Sequence, residues 1–471
     1  MPKKDSLGVR TVAGALMLGA ADEVARVSLA GSGLPHSLVA GASAILGLSL
    51  ARGYGRKFHE RWLAPGSVWL LTWMAAFFAP NLVLLPLAQP VASGLRDLAG
   101  VFFVTFGGLI ATLLATGFAT AFFEEKTAKV NPTDSYFSSL ENQKRAKVKL
   151  SSKPFGPLVY AASATVASFL YFLATFSPFA ATCFFASSTI AAYILGVRTN
   201  HKILAWKDNA SFLKSAVPKN LFFFGEKGGG VSTASLKKAS EAYIGLFNKY
   251  ASRVLSKIAH PVVLCAALVV FGAVNLASFA TGISPRVALE LYASTGGAAL
   301  QRFLGPCVVA LACGVYGRRH DIMAAFRSVF AGVFVGSVVG TFGTALLVNA
   351  LSLPAQAKLA LLPRCITSPL ALPILEALGG DPAAAFAIIV VTGIAGAAFG
   401  PAVLTKVNIN SPKARGLAMG LAAHGIGTAQ MANEPPAQPY ASIGMAVGGA
   451  TMVALALFKP TQTLLLKAAG L

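Results

Sequence analysis

Apolar runs of about twenty residues recur from one end of this chain to the other, and that repetition constrains its fold more than any other feature. Runs of that length match the hydrocarbon thickness of a bilayer, and they leave no room for a separate soluble catalytic domain. Composition agrees: 55% of the 471 residues are hydrophobic and 12% are charged, with a mean hydropathy of +0.67, far from the balance of a water-soluble globule. Lipid offers no hydrogen bonds, so spanning segments must satisfy their backbone internally. The expected fold is therefore an all-α polytopic membrane protein with about twelve transmembrane helices, several of them broken.

The formal charge of +22 does not indicate nucleic acid, because the basic residues sit in short connections between apolar runs and line no single helix or sheet. Lys3, Lys4 and Arg10, the Arg52 to Arg61 connection, the Lys126 to Lys153 loop and the Arg198 to Lys257 loop carry them. Alternating crossings put these four regions on one side, as the positive-inside tendency requires. The five cysteines, 183, 265, 307, 313 and 365, show no metal-binding spacing and read as small buried hydrophobes. The start, MPKKDSLGVR, has no secretory-signal pattern and does not reveal localisation.

Three regions follow from the run pattern. Residues 1–125 read as a four-span unit, with spans roughly at 11–30, 36–51, 66–88 and 98–123. A basic linker occupies 126–156, and 157–471 forms the main unit, with spans near 157–175 and 179–197 and a polar loop at 198–258. Within that loop a Gly-rich turn precedes a stretch, Ser235 to Val254, that reads either as an amphipathic surface helix or as a solvated linker helix. Beyond it, Gly, Pro and polar residues interrupt the apolar runs at membrane depth. Broken backbone there is tolerated only against protein or a water-filled cavity, which is how many transporters build a site.

Three constellations carry candidate chemistry. In LLPRCITSPLALPILEALGG, residues 361–380, Pro363, Pro369 and Pro373 remove backbone donors beside Arg364, Thr367 and Ser368. Three- and four-residue spacing would put the cation and both hydroxyls on one face of a helical turn, a match for a small carboxylate. The alternative is that Arg364 snorkels to an interface or pairs with Glu376. In ARGLAMGLAAHGIGTAQMANE, residues 414–434, His424 adjoins Gly425 and Gly427 and precedes Thr428 and Gln430. An imidazole with an ordinary pKa of about 6.5 suits either an anion or a proton relay, whereas glycines beside a packing histidine are also a common helix-contact pattern. No second ligand sits at metal spacing, so no metal and no cofactor is expected.

The third constellation is a pair of Gly-Pro breaks, FLGPCVVAL at 303–311 with Gly305 and Pro306, and FGPAVL at 399–404 with Gly400 and Pro401. They read either as corresponding hinges of an inverted repeat, with half-helix N-termini turned toward an anion, or as two ordinary proline kinks. Pro369, Gly425 and Gly427 complete the expected hinge set. No Ser-His-Asp set, paired aspartates or zinc motif accompanies His424, so an enzyme is not expected.

LGPCVVAL with the preceding Tyr292, LLPRCITSPLALPI, LEALGGDPAAAFAIIVVTGIAGAAFGP and ARGLAMGLAAHGIGTAQ resemble the LrgB-type membrane protein family in order and spacing, over about 200 residues from His260 onward. The four-span N-terminal unit resembles the LrgA-type family, through its span count and FFAPNLVLLPL. A chain joining both is similar to the plastidal glycolate/glycerate translocator family. That resemblance implies a chloroplast inner-envelope antiporter exchanging glycolate and glycerate in photorespiration, with protons as a further partner and a homodimer as its assembly. The bacterial side of the resemblance implies instead a pyruvate-type carrier or a holin-like pore and lysis regulator.

Both the resemblance and the residues point to a small monocarboxylate. The expected site holds Arg364 against the carboxylate, Thr367, Ser368, Thr428 and Gln430 on its oxygens, and His424 tuning charge. Arg364 stands where much of the family is expected to carry Lys, and its planar fork favours an oxyanion. ACGVYGRRH departs from the family's apolar continuation, and no role is carried onto it.

Overall fold

A computed structural model describes residues 4–30, 35–88, 92–124, 156–206 and 261–471, so the Ser235 to Val254 stretch and nearly all of the 126–156 linker lie outside the described residues. Helices and their connections make up the whole of the described chain, as expected of a fold whose backbone must be satisfied within each segment. Among the described residues nine helices are long and apolar enough to cross a membrane. The expected count of about twelve is not reached on that criterion. Lys4–Ser28 carries Asp22, Glu23 and Arg26, and His36–Leu50 has only 15 residues. The segments around Pro363 and His424 are each split into two short helices.

Those two split segments organise the rest. Ala355–Leu361 enters, turns through 362–367 and returns as Ser368–Leu378, bringing Gly380 beside Leu359. Pro412–Ala422 enters, breaks at Ala423 and returns as His424–Gln430, so that Glu434 comes back level with Arg415. The 11 residues of Pro412–Ala422 span about 16 Å, half the hydrocarbon thickness. Each segment is thus a hairpin whose tip stops in mid-membrane.

Between the hairpins runs Pro382–Lys406, 25 residues in one crossing. The first hairpin therefore enters from one face and the second from the other. Each is followed by a span, Pro382–Lys406 after the first and Gln438–Leu457 after the second. The order hairpin then span occurs twice in opposite sense, and the Gly-Pro pairs do not mark it. Gly305 and Pro306 lie in the first turn of the Leu304–Gly317 helix, whereas Gly400 and Pro401 lie inside an unbroken one, so the break expected at 400–401 is absent. One missing N–H within seven helical turns is a small loss when the neighbours are packed.

Leu95–Phe122 locks the N-terminal part of the chain onto this arrangement. Its Thr116 and Thr120 hydroxyls fold back onto Thr112 O and Thr116 O, each at 2.7 Å. The flattened surface meets Gly336 and Gly332 of the Phe326–Ala350 span, where any side chain would strike those same hydroxyl oxygens. Small residues at four-residue spacing on both helices allow this close antiparallel approach.

Alternating crossings put the helix ends at Phe122, Gly156, Trp206 and Pro261 on one face. Contacts agree: Glu124 approaches Lys413 at 3.7 Å, and Gly196 abuts Pro261. Both basic connections start and end there, as expected of a positive-inside chain. Four cysteines are buried and Cys183 is half-buried.

Candidate functional site

The two hairpin tips converge on a cavity of about 340 Å³ that opens toward the basic face. Thr367 and Ser368 from the first tip and His424, Gly425 and Thr428 from the second line it, opposite Arg318 and Gln438. Sequence reasoning named five of these seven residues and assigned no role to the other two.

At the first tip the chain is extended at Thr367, with φ −68° and ψ 143°, and becomes helical at Ser368. Pro369 falls in the first turn, where its missing N–H has no partner to lose and its fixed φ favours helix initiation. Pro369 therefore starts a helix where a hinge was expected. No side chain caps this end, so the positive end of an 11-residue helix and two hydroxyls face the cavity.

The helical turn expected to unite Arg364 with Thr367 and Ser368 is not formed, because residues 362–365 are turns. Arg364 instead points away from the cavity, and its side chain is fully buried. Its Nε donates to Thr344 Oγ1 at 3.0 Å and its Nη2 to Thr112 Oγ1 at 3.2 Å. The guanidinium lies flat on Gly108, where a Cβ would come within 2.6 Å of its central carbon. Glu376 makes no ion pair with it among the described residues. Arg364 thus ties the tip to two spans, one of them from the N-terminal part of the chain.

The second tip turns at His424, whose φ of 41° lies in the left-handed region rarely adopted by a residue with a side chain. Gly427 permits the reversal, since a Cβ there would lie 2.5 Å from that of Ala423. The imidazole Nε2 donates to the Ile389 carbonyl at 2.8 Å, so Nε2 carries the proton in the neutral ring. Gly393 makes the space, because a Cβ there would sit 2.6 Å from His424 Cε1. Thr428 donates to the His424 carbonyl at 2.8 Å and to Ala441 O at 3.3 Å. Gln430 does not line the cavity.

The base of this hairpin is closed by an ion pair that sequence reasoning missed. Arg415 donates from Nε and Nη2 to the two Glu434 carboxylate oxygens, each at 2.6 Å, and from Nη1 to Thr405 Oγ1 and Ile409 O, each at 3.1 Å. Nineteen positions separate the partners, a distance at which no helical rule pairs charges.

Arg318 is the other unforeseen residue. In the Arg318-Arg319 pair, Arg319 stacks over Tyr316 at 4.3 Å. Arg318 turns inward, its side chain 1% exposed and 3.7 Å from Asp321 Oδ2. A doubled Arg at a helix end reads as an interfacial anchor, and the spacing of Arg318 to Asp321 was the only hint otherwise. The cavity wall therefore holds a buried guanidinium, two tip hydroxyls and a helix N-terminus, an arrangement suited to a small anion.

Among known proteins, a model described as the LrgB-like family matches residues 242–460. The plastidal glycolate/glycerate translocator 1 of Arabidopsis thaliana is 28% identical over 402 residues, 82% of this chain and 65% of that protein, so the chain spans less than two thirds of it. An uncharacterized protein of Haemophilus influenzae is 32% identical over 164 residues, 35% of this chain and 71% of its own length. The antiholin-like protein LrgB of Bacillus cereus is 29% identical over 170 residues, 36% of this chain and 74% of that protein. No solved structure matches the chain.

Proposed function

The chain belongs to the LrgB-like family, and from that premise we propose that it is a secondary carrier of small monocarboxylates working by alternating access. The observation that supports this most is the meeting of both hairpin tips at one cavity that also holds the buried Arg318. The carboxylate sits between the Arg318 guanidinium and the N-terminus of Ser368–Leu378, and Thr367 and Ser368 donate to its oxygens. His424 sets the charge of the opposite wall and exchanges a proton with the cavity. Arg364 acts from behind, holding the first tip in place.

Glycolate and glycerate are the substrates we favour, since the plastidal relative is named for them, and the chloroplast inner envelope is the corresponding location. Two short hydroxy acids of like charge suit one cavity and an exchange cycle. The test is uptake of labelled glycolate into proteoliposomes, with and without internal glycerate. Saturable uptake accelerated by internal glycerate, and lost in Arg318→Gln, is the expected result. Non-saturable passage of glycolate and neutral solutes alike would replace the carrier with a pore of the kind the antiholin name suggests.

A further inference from the structure

A second cavity, of about 470 Å³, lies toward the opposite face. The same helices line both cavities at different depths. Leu304–Gly317 contributes Leu304 here and Leu311 there, and Ser368–Leu378 contributes Leu372 here and Ser368 there. Buried Val308, Leu370 and Ala371 lie between the two along these helices.

Three uncharged amides, Asn81, Gln301 and Gln356, line this cavity. Asn81 is 4% exposed, and its Oδ1 accepts from Gln301 Nε2 at 2.6 Å. Its Nδ2 is buried with no hydrogen-bond partner among the described residues, and Gln356 Oε1 is likewise buried without one. A buried polar atom left unsatisfied is costly enough that native proteins rarely keep one without a reason. Here one orphan is a donor and the other an acceptor, both on the wall of a cavity roomy enough for a solute. A hydroxyl gives one hydrogen bond and takes another, and so answers both.

Charge excludes the opposite choice. Among the described residues neither Lys nor Arg lines this cavity, whereas Asp381 does, its Oδ1 accepting from Ala383 N at 2.8 Å and Ala384 N at 3.1 Å. A carboxylate group is disfavoured against Asp381, so a hydroxy acid is taken here by its hydroxyl end with its carboxylate turned away from that wall.

We propose that this cavity binds the hydroxyl-bearing end of a small polyol or hydroxy acid through Asn81 and Gln356. The inference rests on the carrier reading for the arrival of an acid there, but not for the recognition of hydroxyls. Such a station would select hydroxy acids over plain acids of the same charge and size, a distinction the anion cavity alone does not make.

The test is local. With Cys183 replaced by Ser and the other four cysteines buried, Ala88→Cys places one thiol on the cavity wall. Its labelling by a maleimide is then timed in the full-length protein with glycerol, glycerate or propionate present. Glycerol and glycerate are expected to slow labelling about tenfold at saturation and propionate not at all, with protection lost in Asn81→Leu. Should Asn81→Leu fail to fold, Gln356→Met, nearly isosteric and half-buried, decides the same point. Equal slowing by propionate, no slowing by any of the three, or protection surviving both substitutions overturns the proposal. Protection by glycerol and glycerate in a protein that carries no monocarboxylate would keep this inference and discard the carrier reading.

Discussion

The two hairpins share a topology but are held in opposite ways. The first is pinned at its tip, where Arg364 reaches the Thr112 and Thr344 hydroxyls and has no carboxylate partner among the described residues. The second is pinned at its base, where Arg415 and Glu434 form a bidentate pair, and its tip carries His424 in a left-handed turn. A cation in mid-membrane without a counter-ion is costly, whereas one at the membrane edge with a carboxylate is not. A tip cation therefore makes sense where the tip must stay fixed. The first hairpin reads as the wall fixed by a cation at its tip, and the second as the wall fixed by an ion pair at its base, its tip held through the His424 Nε2 bond to Ile389 O.

Removing the tip anchor is the severest way to break that contrast. Arg364→Ala forfeits two charge-assisted bonds, each worth roughly 1.5–3 kcal/mol, and leaves a void beside Gly108. Uptake is expected to fall about 100-fold with the protein still inserted, and Arg364→Lys to fall between. Wild-type transport by Arg364→Ala would show that the tip is held by something else. Glu434→Ala strands a guanidinium that is only 9% exposed, but the Glu434 side chain is 31% exposed. The cost is discounted to about 1–3 kcal/mol, read as a fall of several degrees in Tm, with a smaller effect on KM than on stability.

Smaller effects sharpen the reading of the second tip. Gly393→Ala crowds the His424 ring and should break its bond to Ile389 O, a loss of about 1 kcal/mol that appears as a several-fold drop in uptake. His424→Asn keeps a residue that tolerates the left-handed turn and removes the titrating ring. Wild-type uptake is expected to change with pH and the variant to lose that change, because an imidazole at the cavity can gain or lose a proton where the amide cannot. An unchanged pH profile would leave the imidazole with a packing role alone.

Much of the site was legible at the level of segments. Gly, Pro and hydroxyl residues inside apolar runs marked both broken segments, though not their hairpin form, because lipid tolerates such interruptions only where protein or water covers the backbone. Side-chain directions were less legible. Three- and four-residue spacing implied a shared face for Arg364, Thr367 and Ser368, but that rule holds only within a helix, and the chain there is a turn. Gln430 failed similarly, one residue before the helix gives way at Met431. Gly400-Pro401 looked like Gly305-Pro306 in sequence, yet packing carries one through a continuous helix and sets the other at a helix start.

Hydropathy by itself determined that this chain is helical and membrane-embedded, because the bilayer acts on composition and run length before any tertiary contact forms. Only the tertiary structure decided that Arg318 faces the cavity, that Arg364 turns to Thr112 more than 250 positions earlier, at |i−j| of 252, and that Arg415 meets Glu434. Those choices depend on where a buried charge finds its hydrogen bonds, and in lipid those partners come from whichever helix packs alongside, not from neighbours in sequence.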